Sequence, residues 1–267
     1  MPALPAIDVD SPITAAGQGL AAPSCCPLRP YYERGGITIY HADAREVIGW
    51  LPDGLVLLTD PVYGINGGKG GDAKAYRKGG YEMDGWADTE EYVQSVCVPV
   101  VQALLAKCVR AAVTPGIRCL NFYPRPVDMG CLWTPAACTH GPWGFTTMQP
   151  ILYYGKDFRA GKGALPSGRA VTEASEKNGH PCTKPLSAWT WLMDKVSQQE
   201  ETILDPFMGS GTTLRAAKDL NRKAIGIEIS ERYCEIAARR LAQDVLPLFS
   251  DNDQSDRMAG GEASRSK

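Results

Sequence analysis

The stretch that decides the fold is Leu204-Asp205-Pro206-Phe207-Met208-Gly209-Ser210-Gly211-Thr212-Thr213. It follows residues 202–204, an apolar run typical of a buried strand, and it leads into a helical pattern. Asp205 therefore stands at the carboxyl end of a strand, where open α/β sheets bind their ligands. The glycines let the backbone approach a ligand closely because they carry no Cβ. The stretch predicts a ligand-binding loop between a strand and a helix.

An acidic residue on the next strand favours a nucleoside ligand for this loop. Glu228 ends the predicted strand at residues 224–228. A carboxylate there can accept hydrogen bonds from both hydroxyls of a ribose. The dinucleotide fingerprint needs a third glycine after the turn, and Leu214 occupies that position. The pattern therefore disfavours a nicotinamide cofactor and favours another adenosine-containing one.

A second Asp-Pro segment lies far upstream, in Thr59-Asp60-Pro61-Val62-Tyr63-Gly64. It follows the apolar residues 55–58, so the Asp60 carboxylate also stands at the end of a strand. The exocyclic amine of a nucleobase is a poor nucleophile, and the Asp60 carboxylate and Pro61 carbonyl can orient its N–H groups. Tyr63 can stack on a base that has left the duplex. A simple turn is the alternative, because Asp-Pro after a strand is often only that.

Composition limits the class of protein. The 267 residues suffice for one large α/β domain or two small ones, and 44% hydrophobic residues support a sizeable core. No apolar run approaches the roughly 18 residues of a membrane span, and the N-terminus lacks a secretory pattern, so we expect a cytoplasmic protein without membrane attachment. The nine cysteines contain no CxxC pair and are interpreted as mostly buried thiols. Cys131, Cys138 and His140 are poorly spaced for a metal, and we expect none.

Strand and helix patterns alternate between two polar ends. Residues 1–30 are expected to form a flexible arm and residues 247–267 a disordered tail. Residues 31–246 should form one α/β domain, with a mostly parallel sheet and helices on both faces. Within it we predict strands at residues 37–40, 55–59, 118–122, 148–154, 202–204 and 224–228, and helices beginning near Asp88, Pro185, Thr212 and Ser230. One helical face should extend to Cys108, with a kink at Pro99.

Basic residues are concentrated beside the two Asp-Pro segments, although the formal net charge is −2. One group follows Tyr63, and the other lies within residues 156–185. Such residues can bind phosphates and release counterions, but solvated loops have the same composition. The candidates for DNA contact are Lys69, Lys74, Arg77, Lys78, Lys162 and Arg169.

Together these motifs resemble those of the amino-methylating DNA methyltransferases, which use S-adenosylmethionine to modify adenine N6 or cytosine N4. Asp60-Pro61-Val62-Tyr63 is similar to the family's catalytic motif, and residues 205–211 are similar to its cofactor motif. Residues 37–44, 180–185 and 226–240 resemble further segments of the family, so that the resemblance spans roughly residues 35–245. The catalytic motif precedes the cofactor motif, which is the permuted order of the family's beta group.

The resemblance implies a Rossmann-like methyltransferase sheet in which the two strand ends lie side by side. It implies that Asp60, Pro61 and Tyr63 are catalytic. It also implies that Asp43 contacts the cofactor adenine and Glu228 its ribose. Lys184 can contact the cofactor carboxylate, and a surface lysine before a helix is the alternative. The full predicted pocket for S-adenosylmethionine comprises Asp43, Lys184, Asp205, Pro206, Phe207, Gly209, Ser210, Gly211, Thr212 and Glu228.

The implied partner is double-stranded DNA, from which the target base is flipped; a homodimer stays open. Residues 156–179 should contain most of the target-recognition surface. Asp60 at the first motif position favours adenine N6, with cytosine N4 as the alternative. Val62 replaces the family's second proline, so a looser but active site is expected, and a catalytically impaired DNA-binding relative is a further alternative. Methylation of RNA or of a protein glutamine also stays open, as do a restriction-modification role and a phage orphan enzyme.

Overall fold

The computed structural model describes residues 28–65, 87–134, 139–141, 144–159, 163, 165–173 and 183–243. Most of the predicted N-terminal arm and all of the predicted C-terminal tail lie outside these ranges. The same is true of the basic DNA-contact candidates Lys69, Lys74, Arg77, Lys78 and Lys162. These assignments therefore stay predictions.

The described residues form one large mixed sheet and one small hairpin. The strands are β1 Tyr32–Arg34, β2 Ile37–His41, β3 Leu55–Thr59, β4 Cys108–Val113, β5 Asp128–Trp133, β6 Thr139–Gly141, β7 Gly144–Thr146, β8 Met148–Gly155, β9 Arg169–Ala170, β10 Thr202–Asp205 and β11 Lys223–Glu228. The large sheet has the order β1-β2-β11-β10-β3-β4-β8-β5-β9, and β6 pairs with β7. Its centre, from β2 to β4 in that order, is parallel, whereas β8 runs antiparallel to both β4 and β5.

Helices flank this sheet. The helices in the described ranges are α1 Ala44–Val47, α2 Glu90–Tyr92, α3 Val98–Leu105, α4 Leu186–Val196, α5 Thr212–Asp219 and α6 Glu231–Ala242. A π-helical turn, Val93–Cys97, joins α2 to α3, and 3-10 segments cover Ile48–Trp50 and Leu120–Phe122. No helix in the described part of the chain has the length and apolar character that a membrane crossing requires.

Two hydrophobic cores cover the two faces of the sheet. Residues of α4, α5 and α6 pack with Val56 and Ile203 in one core. Residues of α1, the π turn and α3 pack with Leu57 and Leu204 in the other. Successive strand residues point to opposite faces, so the fully buried β3 needs cover on both sides. This arrangement confirms the predicted Rossmann-like α/β class.

Two local predictions are wrong. The predicted strand at residues 118–122 is a turn followed by a 3-10 segment. There Cys119 and Tyr123 are buried but Asn121 between them is exposed, whereas all three would share one face of a strand, so the pattern suits a helical turn better. The helical face predicted to reach Cys108 ends at Leu105, and Cys108 begins β4.

The predicted irregularity at Pro99 is a change of helix type. Pro99 lies in the first turn of α3, where a missing N–H is tolerated. The departure from α-helical geometry comes just before it, where the Val98 amide donates to the Val93 carbonyl across the π turn.

The two Asp-Pro segments are far apart in sequence but are brought together by the pairing of β3 with β10. β10 pairs in parallel with β3, with Ile203 opposite Val56 and Leu204 opposite Leu57. The two segments therefore leave the same sheet edge from adjacent strands. The predicted side-by-side placement of the strand ends is confirmed.

Candidate active and cofactor site

A buried hydrogen bond joins the ends of β3 and β10. The hydroxyl of Thr59, the last residue of β3, donates to Asp205 Oδ1 at 2.7 Å. Thr59 is 0% exposed and Asp205 is 2% exposed, so the bond lies where the low dielectric strengthens it. Because Thr59 directly precedes Asp60, this bond ties the start of one Asp-Pro segment to the start of the other.

Asp205 holds the turn that enters the glycine loop. Its carboxylate also accepts hydrogen bonds from the Thr213 hydroxyl at 2.6 Å and from the Phe207 amide at 3.1 Å. Burial raises the pKa of Asp205 to about 6, although these hydrogen bonds oppose the increase. Asp205 therefore stabilises the glycine loop by accepting hydrogen bonds from residues within and just after that loop.

Glu228 braces the same loop from β11. It accepts hydrogen bonds from the amides of Gly209 and Ser230, both at 2.9 Å. Burial raises the pKa of Glu228 to about 7. Gly209 and Gly211 turn the chain into α5 with φ angles of +50° and +76°. A Cβ on Gly211 would lie 2.8 Å from the Cβ of Ala237, so packing and conformation both require glycine there.

Four side chains donate to the carboxylate of Asp60. Its Oδ1 accepts from the Tyr63 hydroxyl at 2.5 Å, from Gln149 Nε2 at 3.1 Å and from the Thr114 hydroxyl. Its Oδ2 lies 2.7 Å from the ammonium of Lys184. Thr114 follows β4 and Gln149 lies in β8, so three strands converge on this group. Sequence reasoning missed both residues, because neither belongs to a motif.

Tyr63 is fixed by its side chain and its backbone. The Lys184 ammonium donates to its hydroxyl at 2.6 Å and lies 4.6 Å from its ring centroid. A Cβ on Gly116, where φ is +68°, would lie 2.7 Å from the ring. Asp88 accepts hydrogen bonds from the amides of Tyr63 and Gly64, at 3.0 and 2.7 Å. The predicted stacking of Tyr63 on a flipped base stays a prediction.

Asp88, near which a helix was predicted to begin, does not cap that helix. The residue that caps α2 is Thr89, whose hydroxyl accepts from the Tyr92 amide at 3.1 Å. Asp88 is 7% exposed and binds the backbone that follows Asp60 and Pro61. A carboxylate just before a helix suits either task, and the nearby backbone amides decide between them.

Val62, where the family has its second proline, is stabilised by the surrounding core. Its side chain packs against the core formed with α1 and α3, which also contains Cys97. Cys97 is 1% exposed, and burial raises the pKa of its thiol to about 12. Packing against this core holds Val62 in place, and whether the site is looser than one with proline stays a prediction.

One cleft at the carboxyl edge of the sheet contains all but one of the predicted catalytic and cofactor residues. Its lining includes the catalytic candidates Asp60, Pro61 and Tyr63. The cofactor candidates in its lining are Asp43, Lys184, Asp205, Pro206, Phe207, Gly209, Ser210, Thr212 and Glu228. Gly211 is the exception, and it serves as the N-cap residue of α5. A cofactor on one side of the cleft would therefore face a substrate on the other.

Asp43 reaches this cleft from the end of β2. Its carboxylate accepts from the Arg45 amide at 2.9 Å, which caps α1. The same carboxylate pairs with the Arg45 guanidinium at 2.5 Å, and this hydrogen-bonded pair holds the pKa of Asp43 below its usual range. Asp43 thus remains ionised at neutral pH, and its contact with the cofactor stays a prediction.

Arg169 is the DNA-contact candidate that falls within the described ranges. It lies in β9 at the edge of the sheet. Its guanidinium pairs with Glu173 at 3.7 Å and donates to the Ser187 carbonyl at 3.4 Å. The side chain keeps 35% of its surface exposed, and its contact with DNA stays a prediction.

The sequence matches known DNA methyltransferases. The family model described as DNA methylase, of the N6/N4 type, matches residues 166–239, which include the glycine loop and Glu228. The type II methyltransferase M.HindIII of Haemophilus influenzae is 47% identical over 81 residues, which are 30% of this chain and 26% of that protein. The type II methyltransferase M.ScaI of Streptomyces caespitosus is 24% identical over 83% of this chain and 86% of that protein.

Two solved structures share the fold. The M1.HpyAVI–SAM complex superposes with a TM-score of 0.56 and 20% identity, covering 76% of this chain and 99% of the other. The cytosine-N4-specific PvuII DNA methyltransferase superposes with a TM-score of 0.62 and 13% identity, covering 86% of this chain and 94% of the other. The family match over the glycine loop, the M.ScaI match over most of the chain and this shared fold agree. These matches support an amino DNA methyltransferase, and they indicate S-adenosylmethionine as its cofactor.

Proposed function

We propose that the chain methylates the exocyclic amine of a base flipped from double-stranded DNA, with adenine N6 as the target. The shared cleft carries this proposal. Asp60 and Pro61 line the same space as Gly209 and Glu228, and the bond from Thr59 to Asp205 ties the two halves together. A methyl donor and an amine held in one cleft can approach each other in a reactive orientation.

Each residue has a distinct task in this proposal. When bound, the cofactor supplies an electrophilic methyl group. The Asp60 carboxylate and the Pro61 carbonyl accept the amine's N–H groups and direct the nitrogen lone pair toward that methyl group. Tyr63 stacks on the flipped base. Glu228 accepts the ribose hydroxyls, and the glycine loop lets the backbone approach the cofactor.

Asp60→Ala is expected to reduce methyl transfer by about 10²–10³-fold, because the amine loses its charged acceptor. Binding of S-adenosylhomocysteine, measured by calorimetry, should survive, since Asp60 lies on the catalytic side. Asp53→Ala is the matched control, because its side chain is 82% exposed and pairs with Lys107. Full turnover by the Asp60 variant would refute the catalytic role.

Cytosine N4 is the second candidate target. It is favoured by the fold shared with the cytosine-N4-specific PvuII enzyme, whereas the acidic first residue of the motif, Asp60, favours adenine. Modified-base sequencing of DNA from cells that express the chain separates the two. N6-methyladenine in one sequence context supports the proposal, N4-methylcytosine supports the alternative, and unmodified DNA contradicts both.

We propose that residues 156–179 read the DNA sequence. The described part of this segment is anchored to the domain, because Tyr153 donates to the Ser167 carbonyl at 2.9 Å and Lys195 to the Leu165 carbonyl at 3.0 Å. Exchanging the segment for its counterpart in M.ScaI, with both anchors kept, should change the methylated sequence while leaving the target base unchanged. An unaltered methylated sequence in the chimera, again read by modified-base sequencing, would contradict this assignment.

A further inference from the structure

Two consecutive residues before α4 touch both halves of the cleft. The Thr183 hydroxyl lies 3.5 Å from the Ser210 hydroxyl in the glycine loop, and Thr183 is 6% exposed. The next residue, Lys184, contacts Asp60 at 2.7 Å and the Tyr63 hydroxyl at 2.6 Å. The short segment Thr183–Lys184 is therefore in direct contact with the cofactor loop and with the catalytic carboxylate.

The cleft is rich in acidic side chains, so Lys184 can pair with a carboxylate of the protein or with that of the cofactor. Among the described residues that line the cleft, Lys184 is the one basic side chain, whereas the acidic ones are Asp43, Asp60, Asp88, Asp205 and Glu228. A cofactor that carries a carboxylate must be bound in this negative environment. An unpaired charge in a partly buried site is costly, so the incoming carboxylate needs a cation. Lys184 is placed to supply it.

The ammonium of Lys184 is already paired with the carboxylate of Asp60. Oδ1 of Asp60 accepts from three side chains, and Oδ2 faces Lys184. An amine N–H needs a lone pair on this carboxylate, and the Lys184 ammonium takes up one of the two on Oδ2 and competes for that oxygen. Movement of the ammonium would free that oxygen while the contacts at Oδ1 keep the carboxylate in place.

We propose that Lys184 is shared between Asp60 and the carboxylate of the cofactor, so that cofactor binding draws it from Asp60 and exposes Oδ2 to the target amine. Lys184 is then a positioning residue that couples the two halves of the cleft. The proposal rests on the proposed function. Coupling is reciprocal, so the cofactor should raise the affinity for DNA by the same factor as DNA raises the affinity for the cofactor.

The first test compares S-adenosylhomocysteine with 5′-methylthioadenosine, which has the nucleoside and thioether but no amino-acid carboxylate. Calorimetry on the wild-type chain should show a preference for S-adenosylhomocysteine, and Lys184→Met should reduce that preference by about tenfold or more. Lys184→Gln should do the same. Lys223→Met, an exposed lysine at the start of β11, is the control of equal charge. An unchanged preference in both Lys184 variants would overturn the proposal.

The second test measures coupling. Fluorescence anisotropy gives the affinity of a duplex containing the methylated site, in the presence of either S-adenosylhomocysteine or 5′-methylthioadenosine. In the wild type the first compound should tighten DNA binding more than the second, and Lys184→Met should remove the difference. If the two compounds differ in their effect on DNA affinity equally in the wild type and in the variant, the coupling is refuted.

Melting curves establish that the variants fold. The preference for S-adenosylhomocysteine over 5′-methylthioadenosine is measured without DNA. It can therefore be measured even if the chain methylates no DNA, so failure of the proposed function can be told apart from failure of the Lys184 proposal.

Discussion

Gln149 orients the catalytic carboxylate from a distant part of the sequence. It lies in β8, and its Nε2 donates to Asp60 Oδ1 at 3.1 Å and also to the Tyr63 hydroxyl. An amide fixes the carboxylate without adding charge, whereas a second carboxylate there would repel Asp60. Gln149 thereby helps determine which lone pairs of Asp60 face the cleft.

Gln149→Leu is expected to lower kcat by about tenfold, because one hydrogen bond to the carboxylate is lost. Affinity for S-adenosylhomocysteine should not change, since Gln149 contacts the catalytic side. Single-turnover assays and calorimetry measure the two quantities. Gln198→Leu removes an exposed amide and serves as the control. A normal kcat in the Gln149 variant would rule out the positioning role.

Individual residues of the candidate site could be predicted from the sequence only where they belong to a contiguous motif. Asp60, Pro61 and Tyr63 share one segment, so their placement in one cleft needed only a strand followed by a turn. Thr114 and Gln149 are ordinary polar residues whose importance depends on β4 lying beside β3, and β8 beside β4, in the folded sheet. The contact of Lys184 with Asp60 could not be foreseen for the same reason.

Among the elements, the loop after β4 supports the loop after β3. These strands are parallel neighbours, with Val113 opposite Thr59, so the two loops leave the sheet side by side. Gly116 in the second loop lies against the Tyr63 ring in a conformation with positive φ. The close approach leaves no room for a side chain.

Gly116→Ala should displace Tyr63 and lower kcat by about tenfold or more, since the added Cβ would lie 2.7 Å from the ring. Gly54→Ala is a matched control, because Gly54 has a φ of +85° but no atom within 4 Å of an added Cβ. Both variants should lose about 1 kcal/mol of stability to backbone strain. Steady-state kinetics and melting curves compare them. Equal activity in the two variants would show that the contact with Tyr63 is unimportant.

The parallel strands were predictable where their sequence is continuously apolar, as in β3. β4 was missed because Arg110 interrupts its pattern with a charge. In the fold this charge is satisfied, since Arg110 donates to the Val196 carbonyl at 2.9 Å and forms an ion pair with Glu201. These partners come from the end of α4 and the turn after it, so no local pattern could reveal that a strand tolerates the arginine.

For the whole molecule, two buried carboxylates link stability to pH. Burial raises the pKa of Asp205 from 3.8 to about 6 and that of Glu228 from 4.5 to about 7. The folded chain therefore holds more protons than the unfolded chain between these limits. Stability then falls as pH rises through this window, because the charged forms are disfavoured in the folded state. The same carboxylates lie on the side of the cleft proposed for the cofactor.

Cofactor affinity should change with pH in the opposite sense to stability. The free energy of unfolding, from urea denaturation, should fall by a few kcal/mol between about pH 4.5 and pH 7. Affinity for S-adenosylhomocysteine should rise toward pH 7.5, because ionised Glu228 accepts ribose hydroxyls more strongly than its neutral form. Glu228→Gln should flatten both curves near pH 7 and leave the slope due to Asp205 near pH 6. Affinity that does not rise with pH in the wild type would exclude Glu228 as the ribose acceptor, whereas stability that rises would contradict its buried, proton-retaining state.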